Sequence, residues 1–241
     1  LPNVITSIEF EQVLKSGIII TRDGRVPKDI AIIHCVGSRN EDYNTYCSRT
    51  CCMAALKFMN QIKSALPETN IYDIYSDMRA FGKGCEELYS TTSKKNVMFL
   101  TFDHKNNLPQ IRQASYKDSC NLLIEFKEKF SGESIEVPAD IVILMVGMEA
   151  NDDAKQISHA VGVSMCGNKF FIERHPKLDP VATTTDGVYV VGTCQSPKDI
   201  PDSVSQARAA AARILATIQS GSVNVEVTTA NVNEEICCGC Q

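Results

Sequence analysis

The sequence predicts an α/β fold: a doubly wound parallel sheet with a small β-meander attached. Three observations point there. Near-continuous apolar runs, "IAIIHCV" (30–36), "NVMFLTF" (96–102) and "ADIVILMVGM" (139–148), read as strands buried on both faces, the habit of parallel sheets. Amphipathic helical stretches separate the early runs in the order strand, helix, strand, helix, strand, which is half of a doubly wound sheet. Two weaker alternating runs, "LPQIRQASY" and "SCNLLIEFK", suit an antiparallel hairpin or meander.

Each element has a local reason. "VITSIEFEQVLKSG" carries apolar residues near helical spacing and stops at Gly17, so it predicts a short helix. After the turn-rich "DGRVPKD" and the strand 30–36, a loop runs from Gly37 to about Tyr46. A long helix begins near Ser48, with Met53, Leu56, Met59, Gln61, Ile62 and Leu66 on one largely apolar face, and Pro67 ends it. "NIYDIYSD" is a second strand and "GKGCEELYSTTSKK" a helix. A composition change at 133–138 predicts a domain boundary, giving 1–135 and 136–222 as domains and 223–241 as a linker. Beyond it come a helix from about Asp152, a short strand at "NKFFIE", a strand at "GVYVVGTC", and an alanine-rich helix from Ser203 to about Ser220 with Asp202 as N-cap.

Composition narrows the function classes. The 241 residues carry a formal net charge of −5, so no basic nucleic-acid footprint is present. No apolar run approaches the ~18 residues of a membrane span, and "LPNVITSIEF" lacks a basic leader, so a cytoplasmic setting without membrane insertion is expected. Eleven cysteines in that setting argue for metal or redox work rather than a disulfide framework. The chain starts at Leu1 and stops just after Cys237 and Cys240, where a ferredoxin-type motif is half written, so a fragment of a longer polypeptide is expected.

The densest signal is "CVGSRNEDYNTYCSRTCC", which places Cys35, Cys47, Cys51 and Cys52 in the spacing C-x11-C-x3-C-C. In dinucleotide-binding sheets this position holds G-x-G-x-x-G, whose glycines admit a pyrophosphate. Here one glycine remains and the loop is too long. Four thiolates suit a [4Fe–4S] cluster, and a helix N-terminus favours their charge. The spacing alone leaves three alternatives open. Adjacent cysteines are awkward for zinc, whose knuckles use C-x2–4-C pairs. Cys47 and Cys51 form a C-x3-C dithiol rather than C-x-x-C. Buried free cysteines also simply pack. A second signature, "ATTTDGVYVVGTCQSPKDIPDSVSQARAAAARI", reads as turn, strand, glycine exit and helix, an arrangement that aims a helix N-terminus at an electron-rich ring or merely packs tightly.

The segment "DGVYVVGTC…DIPDSVSQARAAAAR" resembles the second flavin motif of thioredoxin-reductase-like flavoproteins. With "CVGSRNEDYNTYCSRTCCMAALK", "DMRAFGKGCEELY" and "EEICCGC", it is similar to the A-subunit family of heterodisulfide reductases across essentially the whole chain. The resemblance implies a thioredoxin-reductase-like (pyridine nucleotide-disulfide oxidoreductase-like) two-domain architecture with an incomplete FAD domain. It implies a [4Fe–4S] cluster on Cys35, Cys47, Cys51 and Cys52, and an FAD that splits electron pairs between a ferredoxin branch and a heterodisulfide branch. The implied partners are other subunits of the complex, the rest of the same polypeptide, an electron donor, ferredoxin, and a second copy in a homodimer.

On that basis Gly192, Thr193 and Cys194 are expected along the flavin chain, with Lys198, Asp199, Ile200, Pro201 and Ser203 around its ring. The usual "GD" of related flavoproteins is Gly192-Thr193 here. Lys57, one and a half turns past Cys52, is a candidate cation for flavin or cluster, or a solvated surface lysine. Arg39 and Arg49 are candidates to offset thiolate charge, and Arg79 to lie near the cofactor. His34, His104, His159 and His175 read as structural, and Cys85, Cys120 and Cys166 as packing or free thiols. Cys237, Cys238 and Cys240 would ligate a cluster only with a downstream segment. The competing functions are an NAD(P)H-dependent disulfide reductase using Cys47 and Cys51, disfavoured by the missing glycine loop, and a cofactor-free docking scaffold.

Overall fold

The computed structural model describes residues 1–105, 107–115, 121–222, 232–233 and 235–238. Five strands form a wholly parallel sheet: β1 (Val4–Thr6), β2 (Asp29–Val36), β3 (Asn70–Tyr75), β4 (Val97–Thr101) and β8 (Ile141–Val146), in the order β1-β8-β2-β3-β4. Three more, β5 (Gln110–Gln113), β6 (Leu122–Lys127) and β7 (Ser134–Ala139), form the antiparallel meander.

The two faces of the parallel sheet follow from side-chain alternation along β2. Ile30 and Ile32 point to one side, where α1 (Ser7–Ser16), α2 (Cys51–Ala65) and α3 (Cys85–Ser93) pack. Phe10 of α1 and Leu56, Phe58, Met59 and Ile62 of α2 meet Ile71 and Ile143 there. Ala31 and Ile33 point to the other side, where Leu122, Ile124, Phe126 and Val137 of the meander cover them with Ile74 and Val142. The result is three layers, helices, parallel sheet and meander, with an apolar core on each side of the central sheet.

β1 lies inside the stretch expected to be all helix. Thr6 ends it and caps α1 in a reciprocal box with Glu9, its backbone N–H donating to Glu9 at 2.7 Å, and Gly17 closes the helix at φ 73°. β7 occupies residues 134–139, the expected boundary region, and contains Pro138. Proline is tolerated because β7 is the edge of its three-stranded sheet. β7 and β8 thus complete the two sheets begun by the first 127 residues.

The region after β8 holds α4 (Ala154–Val161), a 3₁₀ turn at Gly192–Cys194 and α5 (Ile200–Ser220). Two sequence expectations need correction. "GVYVVGTC" and "NKFFIE" form only isolated bridges, Ala182↔Tyr189 and Met165↔Phe171, because no described strand lies alongside them to extend a ladder. α5 begins three residues before Ser203, and Asp199, not Asp202, is its N-cap: Asp199 Oδ1 accepts the Asp202 N–H at 2.8 Å. Pro201 sits inside the first turn, where its missing N–H costs nothing.

Candidate functional site

β2 is flanked by β8 on one side and β3 on the other, so the chain's progression reverses there. In open α/β sheets such a switch point, at the carboxyl ends of the strands, is where ligands sit. Cys35 is at that end of β2, where the cysteine loop begins.

The strand releases Cys35 by a local distortion. The β2–β8 register shifts between Ile33 and Val36, Cys35 takes φ 60°, and the Ser38 N–H turns back onto its carbonyl at 3.1 Å. A non-glycine residue in this region is uncommon and marks a constrained site. Arg39 and Arg49, within the same loop, share the conformation at φ 58° and 60°.

The loop is held from several directions. The Arg39 N–H donates to the Tyr46 carbonyl and the Asn40 N–H to that of Asn44, both at 3.0 Å. The Tyr46 hydroxyl donates to the Met148 carbonyl at 2.9 Å, and the Met148 N–H to Ser48 Oγ at 2.8 Å. Gly147 permits this approach: a Cβ there would come within 3.2 Å of Ser48 Oγ and 3.3 Å of the Gly37 carbonyl. α2 then starts at Cys51 with no side-chain cap from Thr50.

Each of the four sulfurs has a polar neighbour. Arg39 Nη1 is 3.9 Å from Cys35 Sγ, the Arg49 N–H is 3.3 Å from Cys47 Sγ, and His34 Nδ1 is 3.7 Å from Cys52 Sγ. Cys51 Sγ faces the Val146 carbonyl, at the end of β8, at 3.9 Å. Arg39 is itself anchored by an ion pair with Asp77. Cys35, Cys51 and Cys52 are buried and Cys47 is half-buried.

The thiols are close enough to act on one another. Burial pushes the Cys35 thiol up to about 11; Arg39 opposes that, and charge on Cys52 and Cys47 adds to it. Burial, then charge on Cys35, Cys52 and Cys47, pushes Cys51 up to about 12. The full thiolate set therefore needs positive charge placed among its members. Among the described residues no three His, Cys, Asp or Glu side chains are gathered tightly enough for one metal ion. A zinc ion wants all its sulfurs at ~2.3 Å, whereas a [4Fe–4S] cluster distributes four thiolates over four irons. Four cysteine donors are the ligand chemistry of such a cluster.

His34 and Asp73 carry a feature that sequence reasoning missed. Both are almost fully buried on adjacent strands, with Nε2 and Oδ1 2.7 Å apart. Burial alone would lower the imidazole's pKa, but the Asp73 carboxylate overrides it and holds His34 well above its ordinary value, with Cys52 adding to the rise. The signal available in sequence was a histidine and an aspartate, each inside an otherwise largely apolar strand, "IAIIHCV" and "NIYDIY". A Cys–His–Asp trio also occurs in cysteine nucleophiles, but Cys52 is only 6% exposed and closed to a substrate.

Six of the expected flavin residues, Thr193, Lys198, Asp199, Ile200, Pro201 and Ser203, line one groove of about 610 Å³ together with Thr50 of the cysteine loop, while Cys194 lines a separate hollow with Thr193. Gly192 takes φ 71°, and its N–H donates to Gln206 Oε1 at 2.7 Å. Cys194 is exposed and its Sγ lies 3.0 Å from the Val191 carbonyl. Ser203 Oγ donates to the Asp199 carbonyl at 2.8 Å. Lys198 is buried with its amine 2.5 Å from Ser196 Oγ; burial, then the Arg49 charge, lowers its pKa.

Lys57 is not in this assembly. Its amine pairs with Glu11 of α1 at 2.8 Å and lies 5.0 Å from the Phe58 ring centre. Arg79 pairs with Asp77 at 3.5 Å, which places it beside the Arg39 anchor. His104 is buried with Nε2 3.0 Å from the Ser38 carbonyl. Cys85 and Cys166 are half-buried and Cys237 and Cys238 exposed; Cys120 and Cys240 lie outside the described residues. Among the described residues no helix is long and apolar enough to cross a membrane.

No protein-family model matches the chain. It is 41% identical over 246 residues to an iron-sulfur A-subunit of the CoB--CoM heterodisulfide reductase of Methanopyrus kandleri, covering 99% of this chain and 37% of that protein. It is 39% identical over 247 residues to the A-subunit of the H(2)/formate:CoB-CoM heterodisulfide,ferredoxin reductase of Methanococcus maripaludis, again 99% of this chain and 37% of the relative. Among solved structures, T. acidophilum thioredoxin reductase is similar at a TM-score of 0.49 and 16% identity, over 81% of this chain and 53% of that one. The chain thus spans little more than a third of the length of the curated relatives it matches, and over that span it belongs to the A-subunit family of heterodisulfide reductases.

Proposed function

We propose that this chain is the electron-transfer segment of a heterodisulfide-reductase-type iron–sulfur flavoprotein. Cys35, Cys47, Cys51 and Cys52 hold a [4Fe–4S] cluster, Gly192, Thr193 and Cys194 run along the flavin chain of FAD, and residues 198–203 surround its ring. The observation that supports the reading is that the four thiols lie within electrostatic reach of one another past the ends of β2 and β8, while Thr50 of their loop lines the groove of flavin-motif residues. When bound, the cluster supplies one-electron transfer and the flavin connects it to two-electron chemistry.

The chain's own residues have distinct parts in this. Arg39, the Arg49 amide and His34 place positive charge or N–H groups against three of the sulfurs. Burial of three of the four cysteines keeps water from the set. The N-terminus of α5 and Lys198 favour negative charge on whatever occupies the groove, against the opposing carboxylate of Asp199, which also lines it. Residues 1–146 form the thiol-bearing unit, since β7 and β8 belong to its sheets, and residues 147–222 the flavin-facing part.

The name of the Methanococcus maripaludis relative couples a heterodisulfide and a ferredoxin to H2 or formate. That supports placing the whole protein in a multi-subunit complex that exchanges electrons with ferredoxin; flavin-based bifurcation and pairing with a second copy belong to the same proposal. Anaerobic purification with quantified iron, acid-labile sulfide and FAD tests the assignment. The expected content is about four irons and four sulfides per chain. A chain that reconstitutes with neither iron nor FAD would return the thiols to packing or dithiol chemistry.

A further inference from the structure

Arg49 touches both halves of the site. Its backbone N–H donates to Cys47 Sγ at 3.3 Å, and its guanidinium Nη2 donates to Asp202 Oδ2 at 2.6 Å. Asp202 lies in the first turn of α5, and its own N–H is held by the cap Asp199. The guanidinium carbon also stands 5.7 Å from the centre of the largely exposed Phe81 ring. Arg49 is at φ 60°, so the backbone around it is constrained while its side chain spans to the other element. The next residue, Thr50, lines the groove with Lys198 and Ser203, so the contact continues along the loop.

We propose that Arg49 is a positioning residue that registers the thiol loop against the N-terminus of α5, so that a change of charge at that terminus is transmitted to Cys47. The inference rests on this contact alone and holds whether the thiols carry a cluster, another metal or nothing. An arginine suits the task because one side chain reaches a carboxylate on one element while its own backbone serves a sulfur on another. The ion pair is partly exposed, at 37% and 44% for the two side chains, so its effect is modest and sensitive to salt.

The test is the rate of Cys47 alkylation by iodoacetamide in the reduced, metal-free full chain, read by peptide mass spectrometry. Arg49→Gln and Asp202→Asn are each expected to raise it about two- to fivefold. The double variant should react no faster than either single, Arg49→Lys should fall between wild type and Arg49→Gln, and wild type near 1 M salt should approach Asp202→Asn. Cys237 is the exposed internal standard and buried Cys52 the reporter of general loosening. Unchanged Cys47 rates in both single variants, effects that multiply in the double, or a Cys52 rate rising in step with Cys47 would each overturn the proposal.

Discussion

Nδ1 of His34 lies 3.7 Å from Sγ of Cys52, and the same ring meets Asp73 through its other nitrogen at 2.7 Å. The imidazole therefore stands between a buried carboxylate and a buried thiol, with no water-exposed face to share the charge. The second oxygen of Asp73 has no hydrogen-bond partner among the described residues, so the pair carries its desolvation without further help from them. Asp73→Asn leaves the ring without its charged partner, and breaking a buried pair in this way costs about 3–5 kcal/mol. Urea denaturation of the chain should show that loss. A loss below about 1 kcal/mol, the size of an exposed pair, would mean that the contact is not ionic.

Glu128, just past β6, gives a pH prediction. The Ser131 N–H holds its carboxylate down to about 2, helped by the Thr101 hydroxyl and the Phe130 N–H. The folded value lies below the unfolded one of about 4.5, so the contribution is present above that pH and is lost as pH falls through about 2. Wild type and Glu128→Gln should differ in urea midpoint near neutrality. The gap should close across this acid window, and a constant gap would show that the charge is not responsible.

Leu56 is fully buried where α2 meets the parallel sheet. Leu56→Ala should cost about 2–5 kcal/mol through lost transfer energy and the cavity left behind. Because α2 also carries Cys51 and Cys52 at its first turn, the same variant should speed alkylation of both. Stability loss without faster labelling would show that the thiols are fixed by the loop rather than by the helix.

The cap of α5 makes a smaller prediction. Asp199→Ala removes the acceptor for the Asp202 N–H and should cost about 1 kcal/mol. Amide exchange should quicken in the first turn of α5 and stay unchanged near Gly221. Even exchange along the helix would mean that the cap is not what fixes its start.

Much of the parallel sheet was legible because its strands announce themselves. β2 and β8 are continuous apolar runs, and α2 has a clear apolar face ended by Pro67. β1 was not legible: three residues ahead of a strong helix have no periodicity of their own, and only pairing with β8 makes them a strand. β7 was hidden by Pro138, which reads as a breaker until β7 is seen at a sheet edge. The segment 188–191 shows the converse, since an apolar run reads as a strand while its single bridge depends on what lies beside it.

The site divides in the same way. The cysteine spacing marked the loop and the flavin motif marked the groove, because both are contiguous in sequence. Lys57 follows Cys52 by one and a half turns, a spacing compatible with either a cofactor cation or a surface lysine, and the turn of α2 carries it towards α1, where it pairs with Glu11. His34–Asp73 and Arg49–Asp202 escaped because each joins residues 39 and 153 positions apart. Such pairings appear only once the strands and the loop are in place.

The most direct test of the central claim is iron and acid-labile sulfide in four single variants purified anaerobically beside the parent chain. Cys47→Ser and Cys52→Ser remove proposed ligands, while Cys85→Ser and Cys166→Ser remove half-buried thiols outside the set. The account predicts about four irons and four sulfides in the parent and both controls, and a loss of most of that content in the first two. Equal iron in all four variants, or a parent that takes up none, would contradict it.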